Sequence, residues 1–167
     1  MLIEGNALKI RTIRSILVKS GDIGQNFRTL SFSERCFDTQ TMNLEKTRQY
    51  YLELTEEEQC QCAACRHYRK MVRSSCPDLA AYLDALGVDV EKPFEAIPIG
   101  PAEPGMLYSG VQYVLMGSPD DFLETHVGDV EIRVTDAHPM TDIAQEHFVI
   151  EAAPVCVELS GYGEDSK

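Results

Sequence analysis

Phe122-Leu-Glu-Thr-His-Val-Gly-Asp-Val-Glu-Ile-Arg-Val-Thr135 decides the fold class. Apolar and polar residues alternate on both sides of Gly128-Asp129, a dipeptide suited to a tight hairpin turn. That turn pairs Val127 with Val130, Thr125 with Ile132 and Leu123 with Val134 on one face. The other face pairs His126 with Glu131 and Glu124 with Arg133, two favourable couples. One register satisfies both faces, so the stretch is read as an antiparallel hairpin.

The sheet extends outward from it. His147–Ala152 and Val155–Leu159 read as strands split by Pro154, and Met106–Met116 is apolar on both faces, as a central strand is. Pro93, Pro98, Pro101 and Pro104 leave room only for a short edge strand at Phe94–Ile97. Upstream the period changes to helical. Asn43 is an N-cap for a helix over 44–58 with a narrow stripe of Leu44, Thr47, Tyr51 and Leu54. Ala63–Ser75 reads as a second helix. Pro77 opens a third, with Leu79, Tyr82, Leu83 and Leu86 inward and Gly87 as its cap. The expected fold is α+β, N-terminal helices followed by an antiparallel sheet of roughly four to six strands.

Residues 42–160 form the expected single domain, and 161–167 a polar tail. Residues 1–41 fit poorly with the rest. They are read either as a loosely attached arm or as an extension upstream of a true start at Met42. No apolar run approaches the roughly 20 residues that span a bilayer, and the N-terminus makes a poor signal peptide, so the expected location is cytoplasmic. Charge is uneven. Residues 1–41 carry 6 basic and 4 acidic groups, whereas residues 77–167 carry 3 basic and 18 acidic. Such an acidic surface repels phosphate backbones, which argues against nucleic acid binding there.

In a reducing compartment, 6 cysteines point to metal or redox chemistry before disulfides. Cys60-Gln-Cys62-Ala-Ala-Cys65-Arg-His67 gathers three thiols and an imidazole. The Cys62/Cys65 pair has the C-x-x-C spacing that lets two thiolates reach one Zn²⁺ from the same side, and Cys60 adds a third. A zinc ribbon has two such knuckles and this chain has one, so the fourth ligand must come from elsewhere. His138 is the first choice, with His67, His147, Cys76 and Cys156 as alternatives. A continuous helix would hold Cys76 about 16 Å from Cys65. Redox chemistry at a helix N-terminus competes with this reading, as do simple buried thiols.

Arg66, Arg69, Lys70 and Arg73 make one basic stripe, read as a docking face or, preferably, as a solvated face or one neutralised by the acidic half of the chain. Asp136, His138, Asp142, Glu146 and His147 form a second polar cluster, best explained by turn chemistry. No nucleophile elbow, P-loop, H-E-x-x-H or dinucleotide fingerprint is present, and no catalytic residue is assigned.

Cys60-Gln-Cys62-Ala-Ala-Cys65-Arg-His-Tyr68, Leu86-Gly-Val-Asp-Val-Glu-Lys-Pro-Phe94 and His138-Pro with Glu146-His147-Phe148 together resemble a family of small uncharacterised bacterial proteins. The likeness covers about residues 42–159 and implies kinship without an activity. The expectation is a protein whose thiol cluster holds structural zinc, tying helices to sheet, and which acts by protein–protein contact with no membrane partner. A thiol- or histidine-dependent enzyme and a metal-free α+β protein with buried cysteines are the alternatives.

Overall fold

The computed structural model describes residues 42–162; the readings made on residues 1–41 and on 163–167 lie outside it. Three α-helices come first among these residues: α1 Leu44–Glu53, α2 Ala63–Ser75 and α3 Pro77–Ala85. Six strands follow: β1 Glu95–Ala102, β2 Gly105–Met116, β3 Thr125–Val127, β4 Val130–Val134, β5 His147–Ala153 and β6 Val155–Glu158. All pairings are antiparallel, so the fold is mixed α+β with one sheet ordered β1-β2-β5-β4-β3, β6 also pairing with β2. Among the described residues no helix is long and apolar enough to cross a membrane.

Local chemistry explains the helix ends. Asn43 Oδ1 accepts the Lys46 N–H at 2.9 Å, satisfying a first-turn donor of α1. The helix expected through residue 58 stops at Glu53, where Leu54 turns extended. Thr55 then caps a separate 3-10 turn, Glu56–Glu58, with the Glu58 carboxylate accepting from the Thr55 N–H and hydroxyl at 2.9 and 2.8 Å. Lys92 Nζ donates to the carbonyls of Tyr51 and Leu54 at 2.6 and 2.9 Å, placing a cation at the end of α1 where the helix dipole favours one. Gly87 has φ +79°, and a Cβ there would lie 2.8 Å from the Leu44 carbonyl oxygen.

The hairpin forms in the expected register for Val127–Val130, His126–Glu131 and Thr125–Ile132. It is shorter than expected. β3 begins at Thr125, and Leu123 is 82% exposed instead of facing Val134. Arg133 turns from Glu124 to the neighbouring strand, where it donates to Glu151 at 2.7 Å, because β5 offers a nearly buried carboxylate in direct register. β1 runs on to Ala102, well past Ile97. An edge strand tolerates Pro98 and Pro101, and the register shifts around Pro98 absorb the first of them.

β5 and β6 lie along one edge of β2 in a single continuous register, interrupted only beside Pro154. The residues facing the main core change parity at this interruption. On β2 they are Met106 and Tyr108, then Val111, Tyr113 and Leu115; opposite, they are Val157 and Val155, then Ala152, Ile150 and Phe148. A strand of period two can do this only through a local irregularity. Both strands make it together, with Ser109-Gly110 facing Ala153-Pro154.

Buried tyrosines join helices to sheet. Tyr68 and Tyr113 share a hydroxyl–hydroxyl bond of 2.6 Å, Tyr113 donates onward to the Val90 carbonyl at 3.0 Å, and Tyr108 donates to the Ala64 carbonyl at 2.7 Å. These bonds satisfy phenols that burial would otherwise make costly. On the second face, Val114, Met116 and Val149 form a smaller cluster against Tyr50, Phe94 and Ile143.

Candidate metal centre

The segment between the Glu56–Glu58 turn and α2 is short and heavily hydrogen-bonded. Gln61 Nε2 donates to the carbonyls of Glu56 at 2.7 Å and Gln59 at 3.1 Å. From α2, Arg69 donates to the Cys60 carbonyl at 2.7 Å, and Arg66 donates to the Gln61 carbonyl. These bonds fix the backbone on which Cys60 and Cys62 stand.

Cys62 is the N-cap of α2, extended at φ −66° and ψ 158°, and its sulfur accepts the Cys65 N–H at 3.4 Å. C-x-x-C spacing then places Cys65 in the first turn, with its thiol beside that of Cys62. The sulfurs of Cys60, Cys62 and Cys65 all lie within 4.8 Å of one another. Cys60 and Cys62 are exposed, whereas Cys65 is only 5% exposed.

The two knuckle thiols are electrostatically unlike. Burial pushes Cys62 up, but hydrogen bonds from the Cys65 backbone, the neighbouring thiols and the Ala64 backbone outweigh it and leave Cys62 below the usual thiol range. Burial drives Cys65 well up, reinforced by its hydrogen bonds and proximity to Cys62 and Cys60. The helix N-terminus favours negative charge at the cap, consistent with this order.

Among the described residues no further histidine, cysteine or carboxylate joins the three thiols as a group. His67 is buried on α2 and bonds through Nε2 to the Glu158 carbonyl at 2.7 Å, with its ring edge-on to Tyr162. His138 bonds through Nδ1 to the Pro139 carbonyl at 2.7 Å and packs near Phe94. His147 is held by Thr141 Oγ1 at 2.6 Å and the Gln145 carbonyl at 2.7 Å. Cys76, between α2 and α3, donates to the Cys156 carbonyl at 3.4 Å, and the two form a separate pair.

The basic stripe divides. Arg73 binds Asp84 at 2.8 Å, Glu91 at 2.9 Å and Asp89 at 3.4 Å, which is neutralisation by the acidic half of the chain. Arg66 and Arg69 instead hold the cysteine loop. That role, and the role of Gln61, escape a reading by charge pattern. The Thr55-x-x-Glu58 capping box was the signal that a new element begins before the cysteines.

Compared with known proteins, the chain matches no family model, no curated protein and no solved structure.

Proposed function

We propose that Cys60, Cys62 and Cys65 bind one Zn²⁺ ion. The observation that carries this reading is three sulfurs within 4.8 Å of one another on a backbone already fixed by Gln61, Arg66 and Arg69. Zinc–thiolate bonds of about 2.3 Å in a tetrahedron place sulfurs about 3.8 Å apart, so the cluster closes on an ion with small side-chain adjustments. All three thiols come from one loop and one helix turn. The ion therefore clamps that loop to α2, while the links from α2 to the sheet are made by His67 and Tyr108. With the candidate histidines engaged elsewhere, the fourth position goes to water or to a donor brought by a partner; a partner's donor there makes the ion a protein–protein contact.

Metal analysis of purified protein tests this reading. About one zinc per chain is expected, lost in Cys62→Ser and in Cys65→Ser. Metal-free protein with all three thiols rapidly alkylated would contradict it.

One observation favours a second reading. An exposed Cys62 with a lowered pKa beside a buried Cys65 with a raised one is the asymmetry of a dithiol that attacks and then resolves. In that chemistry Cys62 and Cys65 become a disulfide, while a substrate disulfide takes up their two electrons and two protons. Fast alkylation confined to Cys62 in metal-free protein supports it, and uniform reactivity of the three thiols counts against it.

A further inference from the structure

The three thiols differ in what can reach them. Cys60 and Cys62 are exposed to solvent, whereas Cys65 is buried and only 5% exposed. A small oxidant therefore meets the outer sulfurs first, while the inner sulfur lies within 4.8 Å of both. Cys62 also faces the first turn of α2, because its sulfur accepts the Cys65 N–H at 3.4 Å. Residues three apart along a helix hold their Cα atoms about 5 Å from one another. That separation lies inside the roughly 4.4–6.8 Å range of disulfides, so Cys62 and Cys65 can be joined by side-chain rotation alone.

We propose that the metal centre is redox-regulated: a peroxide joins Cys62 to Cys65 and expels the zinc. The inference rests on the zinc reading above and adds its control. In the loaded site both sulfurs are thiolates. The Cys62 sulfur attacks one peroxide oxygen, the O–O bond breaks, and a hydroxide leaves with Cys62 oxidised to a sulfenic acid. The Cys65 thiolate then attacks the Cys62 sulfur, forming the S–S bond and displacing a second hydroxide. The two thiolates have lost two electrons, and the peroxide has gained them. Cys60 is then the one thiolate left of the three, too few to keep the ion from water. A dithiol reductant, itself closing to a disulfide, restores both thiols and reopens the site.

The test uses the full wild-type chain, loaded with zinc and treated with hydrogen peroxide. A chromogenic chelator follows the freed ion while peptide mapping follows the thiols. About one zinc is expected to leave for each Cys62–Cys65 disulfide formed, with Cys60 still open to alkylation. Reduction with a dithiol should restore zinc uptake to about one ion per chain. A chain that takes up no zinc before peroxide is added would sink the zinc reading, and this inference with it. Zinc bound at the start would overturn the inference alone under any of three outcomes. The ion stays while the disulfide forms, it leaves while another cysteine pair is joined, or excess peroxide leaves ion and thiols unchanged.

Discussion

Gly105 has no room for a side chain. A Cβ there would sit 2.1 Å from the Val157 carbonyl oxygen and 2.8 Å from its carbon, both backbone atoms of the paired strand. Gly105→Ala must push β6 off β2 and is expected to destabilise the protein by about 2–3 kcal/mol, read as a lower urea midpoint. Unchanged stability would mean that β6 is not seated where described. Gly110 is tight for a different reason: a Cβ would meet the Glu151 carboxylate at 2.8–2.9 Å, and that side chain is held by Gln112 and Arg133. At this scale the sequence was legible wherever one residue type has one job. Asn43 as cap, Pro77 in a first helical turn and Gly87 past the end of α3 all followed from local rules. Gly105 and Gly110 were not legible, because their constraint comes from strands more than forty residues away.

The element with the most unexpected role is α1. β1 covers β2 only up to Gln112, which leaves the edge of Val114–Met116 open. Helix side chains and the cap backbone close it: Tyr51 both donates to the Val114 carbonyl at 3.1 Å and accepts its N–H at 3.0 Å, Thr47 accepts the Met116 N–H at 3.0 Å, and the Asn43 N–H meets the Met116 carbonyl at 2.7 Å. This explains why Thr47 and Tyr51 sit in an apolar stripe although both carry hydroxyls. Thr47→Val keeps the shape but orphans a buried N–H, so a loss of about 1–3 kcal/mol is expected, with Thr47→Ser nearer to wild type by the same denaturation measurement. Equal stability of the Val and Ser variants would show that the hydroxyl is not needed. In α2, Arg69→Ala removes the bond to the Cys60 carbonyl. Zinc affinity measured by chelator competition should fall, while the circular dichroism spectrum stays unchanged, because the loop loses preorganisation and the core does not. The hairpin and the central strand were readable because their patterns satisfy two faces at once. The parity switch at Ser109-Gly110 and Ala153-Pro154 was not, since β2 is apolar on both faces and alternation carries no signal there.

At the scale of the molecule, the thiol cluster stands at one end of α2, and the second thiol pair, Cys76 and Cys156, at the other. Among the described residues, only the first gathers three ligand atoms close enough to share one ion. Its affinity should rise with pH, because a thiol must lose its proton to become a ligand. Cys65, driven well above the usual thiol range, is protonated at neutral pH, so zinc binding there should release that residue's one thiol proton. Calorimetry in buffers of different ionisation enthalpy measures that release, and proton-neutral binding at pH 7 would contradict the assignment of Cys65 as a ligand. The sequence read this centre correctly as a gathering of three thiols and incompletely as a coordination sphere. Spacing along a chain brings Cys60, Cys62 and Cys65 together, whereas the placement of His138, His147 and Cys156 depends on the finished sheet. The most direct test of the central claim is a Co²⁺ titration of reduced, metal-free protein followed by thiolate-to-cobalt charge-transfer absorption. The expected result is an endpoint at one ion per chain, retained in Cys76→Ser and abolished in Cys62→Ser; the absence of any thiolate charge-transfer band in the wild-type protein would contradict it.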